Sequence, residues 1–161
     1  MEKLTQERLK ELLHYDPESG KFTRLKTAGR YVSGTIAGSI DDEGYLRISI
    51  DGKHYRSARL ACLYINGEMP IEADHINRIR HDDRWVNIRQ ADRRQNAANR
   101  KIQSNNTSGV KGISWDKRRN QWGVNATIGG KLRWFGYFED MELAELVASE
   151  VRSKIYGEFA S

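Results

Sequence analysis

The residues whose types and spacing suit chemistry lie between positions 71 and 100, in the run IEADHINRIRHDDRWVNIRQADRRQNAANR. The carboxylate of Asp74 and the amide oxygen of Asn96 are hard oxygen donors. They suit Mg²⁺ or Mn²⁺, which keep several waters and bind through one or two protein groups plus substrate phosphate. A neutral imidazole at His75 can take a proton from water. Together these are the parts that hydrolysis of a phosphodiester needs: a nucleophilic water, a cation on the scissile phosphate, and little else from the protein. Asn87 is placed to hydrogen-bond the strand or the imidazole and fix its orientation. A lone Asp-His pair is common, so the weight rests on the ordered set. The charged loop His81-Asp82-Asp83 reads as solvated. His14 and His54 read as surface or packing residues, and Cys62, set among apolar neighbours, reads as buried.

Adjacent residues on a strand face opposite sides, so Asp74 and His75 share one site only at a strand end leading into a turn. Ile76-Asn77 then opens a polar loop, Trp85-Val86-Asn87-Ile88 returns as a second strand, and Asp92 starts a helix with Gln95 three positions on, a capping-box pair. That helix carries Asn96, with Asn99 and Arg100 on the same face. Upstream, a short helix over residues 5–14 follows Thr5 and is ended by Asp16-Pro17-Glu18-Ser19-Gly20. Alternation in 44–50, the Asp51-Gly52 pair and the run 53–56 predict a hairpin, and 58–66 a helix stopped by Gly67. Residues 101–108, KIQSNNTS, form the linker candidate. Beyond it Lys111–Trp115, Gln121–Ile128 and Lys131–Phe138 predict three strands. Ala144, Val147, Ala148, Val151 and Ile155 predict one helical stripe over 140–156, closed by Gly157.

With 161 residues, 38% hydrophobic content and a mean hydropathy of −0.76, the chain favours small cores over one large one. Four Trp, seven Tyr and four Phe supply their anchors. The net charge of +5 and a pI near 9.4 favour a polyanionic partner. The single cysteine excludes an intramolecular disulfide and a cysteine-rich zinc site, so no zinc is expected and a cytoplasmic setting is. No apolar run reaches the ~20 residues of a membrane span, and the start lacks a signal-peptide core.

Asp74-His75-Ile76-Asn77, then Asn87-Ile88-Arg89, then Gln95-Asn96 with Asn99-Arg100 resembles the ββα-metal motif of HNH homing endonucleases, many of them phage-encoded. The likeness spans about residues 45–100. It implies Asp74 and Asn96 as metal ligands, His75 as general base and Asn87 as the motif's middle residue, so the catalytic set is His75, Asn87 and Asn96. It also implies a phage-encoded protein acting in a bacterial host cell. Relatives usually carry His-Arg where this chain has Ala58-Arg59, and Gly-Asp where it has Arg78-Ile79. Ala58 is the clue for the alternative, a sequence-specific DNA-binding protein with a decayed nuclease site.

Basic residues crowd the stretch from Arg93 to Trp134, while acids return at Glu139, Asp140, Glu142, Glu145 and Glu150. This segregation suits a sheet facing phosphates and a helix facing away. Asn106-Thr107-Ser108-Gly109-Val110-Lys111-Gly112-Ile113, followed by Trp115, Trp122 and Phe135-Gly136-Tyr137-Phe138, resembles the Apetala-type/ERF DNA-binding domain over residues 105–158. That likeness implies a three-stranded sheet in the major groove, with Lys111, Trp115, Lys117, Arg119, Gln121, Trp122, Arg133 and Trp134 as contacts; Arg93 and Arg100 join them on charge. The expected fold is α+β: a nuclease domain at 1–104 with its ββα core at about 71–100 and hairpin support, then a sheet-and-helix domain at 105–161. The expected partner is double-stranded DNA, with neither a membrane nor a small-molecule substrate, and the chain is expected to act as a monomer.

Overall fold

A computed structural model describes residues 3–160 and divides the chain into two compact units, Met1–Asn96 and Ala97–Ser161. The division falls inside the helix that follows the candidate site, ahead of the polar segment 101–108.

In the first unit the Thr5 side chain accepts from the Arg8 backbone N–H at 3.2 Å and starts α1 (Gln6–Leu12). The helix stops earlier than its leucine spacing predicts, because Leu13 turns extended and opens β1 (Leu13–Asp16), antiparallel to β2 (Lys21–Arg24). This hairpin is not foreseen from the sequence. Its period-two signal is only Leu13, Tyr15 and Phe22, all buried, and Leu12-Leu13 prolong the helical pattern into it. The predicted hairpin at Asp51-Gly52 is present: β3 (Ser39–Ile40), β4 (Leu46–Ile50) and β5 (Lys53–Arg56) form an antiparallel sheet in that order, and both turn residues take positive φ. Ile48 and Ile50 point from this sheet into the core. There they join Leu60, Ala61, Cys62 and Leu63 of α2 (Ser57–Asn66), which ends at left-handed Gly67. Ala58 is part of the same core.

Next comes the ββα arrangement. β6 (Glu72–His75) pairs antiparallel with β7 (Ile88–Ala91), and α3 (Arg93–Asn99) follows. Trp85–Asn87 form a 3-10 turn rather than the start of the strand, so β7 begins at Ile88.

The second unit is a three-stranded antiparallel sheet, in the order β10 (Lys131–Phe138), β9 (Gln121–Ile128), β8 (Ile113–Asp116), packed on α4 (Met141–Tyr156). Asp140 caps α4 by accepting from Leu143 N–H at 2.8 Å. The core is Ile113, Val124, Ala144 and Ala148, with Trp122, Phe138, Met141 and Val147 packed on it. Within the predicted stripe only the alanines are fully buried, because the sheet lies closest to the helix where side chains are small.

Candidate active site

Asp74 and His75 close β6, and both are buried, at 4% and 6% exposure. Across the ladder Asp74 stands opposite Arg89, whose Nε and Nη2 donate to Asp74 Oδ2 at 2.8 and 2.7 Å. A buried carboxylate held by two guanidinium N–H groups has a fixed rotamer and is costly to leave without its cation. Sequence reasoning missed this partner, although antiparallel pairing of the two predicted strands puts position 89 opposite position 74.

Beyond His75 the chain makes a loop that Asn87 ties down. Asn87 Oδ1 accepts from Asn77 N–H at 2.9 Å, Asn87 Nδ2 donates to Asp82 O at 2.7 Å, and Asn87 O accepts from Ile76 N–H at 2.9 Å. These bonds of Asn87 brace both ends of the loop and reach neither imidazole nitrogen. Asp82 is held at a pKa of about 2, chiefly by the Arg84 guanidinium at 2.6 and 2.7 Å, with Asn77 Nδ2 at 2.6 Å assisting.

Asp83 overturns the reading of His81-Asp82-Asp83 as a solvated loop. It is only 2% exposed, and its Oδ1 lies 2.7 Å from His75 Nε2. The β1–β2 hairpin puts it there. Tyr15 Oη donates to Asp83 O at 2.7 Å, Trp85 N–H donates to Pro17 O at 2.9 Å, and Gly20 lies directly against the Asp83–Arg84 peptide. A Cβ at position 20 would stand 2.3 Å from Asp83 C, and φ of +71° there also favours glycine. The Tyr15 hydroxyl is pushed up by burial and then by the Asp83 charge, and the Cys62 thiol rises to about 11 by burial. Asp83 Oδ2 is buried with no partner among the described residues, a costly arrangement that calls for an explanation. His81, by contrast, is exposed.

The expected capping box forms at the start of α3: Gln95 N–H donates to Asp92 Oδ1 at 2.8 Å while Gln95 Oε1 accepts from Asp92 N–H at 2.8 Å. This sets Asn96 in the first turn, where its Nδ2 lies 3.5 Å from Glu72 Oε2. Glu72 and Asp74 are two apart on β6 and share a face, so the amide of Asn96 and the carboxylate of Asp74 belong to one side of the ββα unit. Among the described residues no cluster of three His, Cys, Asp or Glu side chains could hold a metal. The donor chemistry that does fit a hard cation is the Asp74 carboxylate with the Asn96 amide oxygen, leaving its other positions to water and substrate.

Beside His75 lies a second feature that sequence reasoning missed. The Tyr45 ring is 6.1 Å from the imidazole, and the guanidinium carbons of Arg56 and Arg80 lie 3.9 and 5.1 Å from the Tyr45 ring centre. The 41–45 turn sets Tyr45 there, with Asp41 Oδ1 accepting from Glu43 and Tyr45 N–H at 3.0 and 2.9 Å. The signal in the sequence was an Asp-Asp-Glu-Gly turn ahead of an aromatic at a strand start.

In the second unit the register sorts the expected contacts. Tyr137 and Trp134 stack at 5.3 Å across Gly123, which has no Cβ to collide with them, and Arg119 sits 4.4 Å above Tyr137. Gln121, two positions before Gly123, shares that outer face. Trp115 and Trp122 pair edge to face at 4.8 Å on the opposite face, the one bearing Val124; Arg133, opposite Ala126, is on that side as well. Lys117 is exposed at the β8–β9 turn, Lys111 Nζ donates to Ala98 O at 3.1 Å, and Arg93 and Arg100 are exposed.

A protein-family profile described as HNH endonuclease matches residues 55–98, which begin at Tyr55 and end within α3. Protein 3.8 of Escherichia phage T7 is 36% identical over 99 residues, covering 59% of this chain and 79% of that protein. No solved structure matches.

Proposed function

Because this chain belongs to the family of phage T7 protein 3.8 and carries an HNH endonuclease domain at residues 55–98, we propose that it is a metal-dependent DNA endonuclease of homing type, with His75 as general base. The observation that carries this reading is the buried His75–Asp83 pair beside the Asp74–Arg89 pair at one strand end. With Nε2–H donated to Asp83, the basic nitrogen of the imidazole is Nδ1, and that atom takes the proton from the attacking water. Asp83 acts through His75 as a positioning residue, and this role accounts for a carboxylate sunk beneath Tyr15 and Gly20. Asp74 and Asn96 would hold the Mg²⁺ or Mn²⁺ ion, and when bound that cation neutralises the scissile phosphate and steadies the leaving oxygen. Asn87 keeps the loop closed so that Asp83 stays under His75. No helix among the described residues is long and apolar enough to cross a membrane.

The second unit serves in this proposal as the anchor on double-stranded DNA. Supporting it are the outer-face stack of Trp134, Tyr137 and Arg119 and the exposed cations of the β8–β9 turn, together with a sheet-on-helix architecture of the kind the ERF-type likeness implies. The test is incubation of supercoiled plasmid, and of phage genomic DNA, with the full chain and Mg²⁺ or Mn²⁺. Nicked or linear product that disappears with a chelator is expected. Intact DNA with every divalent cation tried, alongside retained binding, would favour the decayed-nuclease alternative.

A further inference from the structure

We propose that the outward face of the β3–β5 sheet in the first unit is a second phosphate-binding surface, one that holds the backbone of duplex DNA next to the nuclease centre. It rests on the endonuclease reading above. In this sheet Ile48 and Ile50 face the core, so the alternate pairs Arg47–Arg56 and Ser49–His54 face outward, with Ser39 opposite Arg47. Arginine directly opposite arginine on one face costs stability unless an anion lies over the pair. Asp41 is 3.9 Å from Arg47 and Glu43 is 2.6 Å from Arg56, so each guanidinium of the pair has one carboxylate beside it, and the surplus of positive charge comes from the residues around them.

More cations gather at the rim. The guanidinium carbons of Arg24 and Arg30 lie 4.0 and 5.2 Å from the Tyr31 ring centre, and Arg30 Nη2 donates to Tyr31 Oη at 3.2 Å. Arg24, Arg30, Arg47 and His54 line one cavity of about 400 Å³, in which Asp41 supplies the carboxylate. Contact with the tyrosine ring restrains both planar guanidiniums, and their remaining N–H groups are donors of the kind that suits phosphate oxygens. The surface also has a direction. Arg56 ends it on the side of Tyr45, whose ring is 6.1 Å from His75, so a backbone lying along the arginines leads to the candidate base. A continuous polyanion fits such a spread of cations better than a single free phosphate does.

The experiment measures duplex binding by the full chain without divalent cation at several salt concentrations, for wild type, Arg24→Ala/Arg47→Ala and Arg24→Lys/Arg47→Lys. The slope of log K against log salt should become shallower by about 0.9 for each phosphate that the alanine pair no longer neutralises. The lysine pair should keep most of it. In plasmid cleavage the alanine pair should raise KM and leave kcat unchanged. A slope unchanged by the alanine pair overturns the proposal, and so does a reduction that lysine fails to recover, which would mark a packing role. Weaker binding of inorganic phosphate with an unchanged duplex slope would assign the face to a free anion and likewise overturn it. Because binding is read without metal, absence of cleavage by the wild type would remove the endonuclease reading while leaving this surface to be judged on its slope.

Discussion

The two units place their polar side chains in opposite ways. In the first, Asp74, His75, Asp83 and Asn87 are each at most 6% exposed and hydrogen-bonded to a named partner. In the second, Trp134 is 47% exposed and Lys117 and Arg119 stand in water, over a core of Ile113, Val124 and two alanines. Moving a proton and holding a cation require groups whose orientation is fixed before substrate arrives, and burial with a hydrogen bond to a fixed partner supplies that. Gripping a polyanion requires only that many cations reach it, each contributing a little. The first arrangement is therefore fragile at single positions, and the second is distributed.

The sharpest break in this comparison is at His75. His75→Ala should slow cleavage by about 10²- to 10⁴-fold, the usual worth of a general base, while duplex affinity stays as it is. Nicking rates on supercoiled plasmid measure the first and binding isotherms the second. Equal rates for mutant and wild type would remove His75 from the chemistry.

Arg89→Ala tests burial directly, because it leaves the Asp74 carboxylate without its guanidinium. A loss of about 3–5 kcal/mol in unfolding free energy is expected, measured by urea titration of the full chain. The double change Asp74→Leu/Arg89→Met should recover much of it, since an apolar pair carries no desolvation penalty, yet should not recover cleavage.

Much of this was legible in the chain. The Asp51-Gly52 hairpin, the bounds of β9 and β10, the apolar stripe of α4 and the Asp92–Gln95 box are local signals, written within a few residues of where they act. So was the gathering of Asp74, His75 and Asn96 in one ββα unit. What escaped depends on distant contacts. His81-Asp82-Asp83-Arg84 looks like a solvated run, and Arg84 does keep Asp82 at the surface. Asp83 turns inward only because Tyr15, Pro17 and Gly20, far away in sequence, close over it. Tyr15 lies on, and Pro17 and Gly20 lie in the turn between, two four-residue strands that are too short to announce themselves.

Asp83 comes next in size. Asp83→Asn keeps the shape of the side chain but weakens the acceptor for His75 Nε2, and kcat should fall by about tenfold to a hundredfold with KM unchanged, the range for groups that orient another. Gly20→Ala should reproduce the effect from a distance, since its methyl cannot fit against the Asp83–Arg84 peptide. A kcat–pH profile that keeps its shape and position in Asp83→Asn would show that Asp83 is merely structural.

The smallest effect belongs to the second unit, where the comparison predicts that no single cation is decisive. Asp116 Oδ1 accepts from the Arg118 and Arg119 N–H groups at 2.9 and 3.2 Å, and Asn120 takes φ of 55°, so the β8–β9 turn is held in one shape with Lys117 exposed on it. A lysine there meets phosphate as a point charge without reading sequence. Lys117→Ala should therefore weaken binding to every duplex alike and lower the slope of log K against log salt by about 0.9, with kcat unchanged. Arg119, whose guanidinium lies 4.4 Å from the Tyr137 ring centre, is expected to differ, its replacement relaxing preference at one base position by about 1–3 kcal/mol. The measurement is a set of isotherms on several unrelated duplexes at several salt concentrations. If Lys117→Ala changed affinity for one duplex only, the turn would be reading bases. If neither slope nor affinity moved on any duplex, the β8–β9 turn would not touch DNA, and the exposed cations of the second unit would need another explanation.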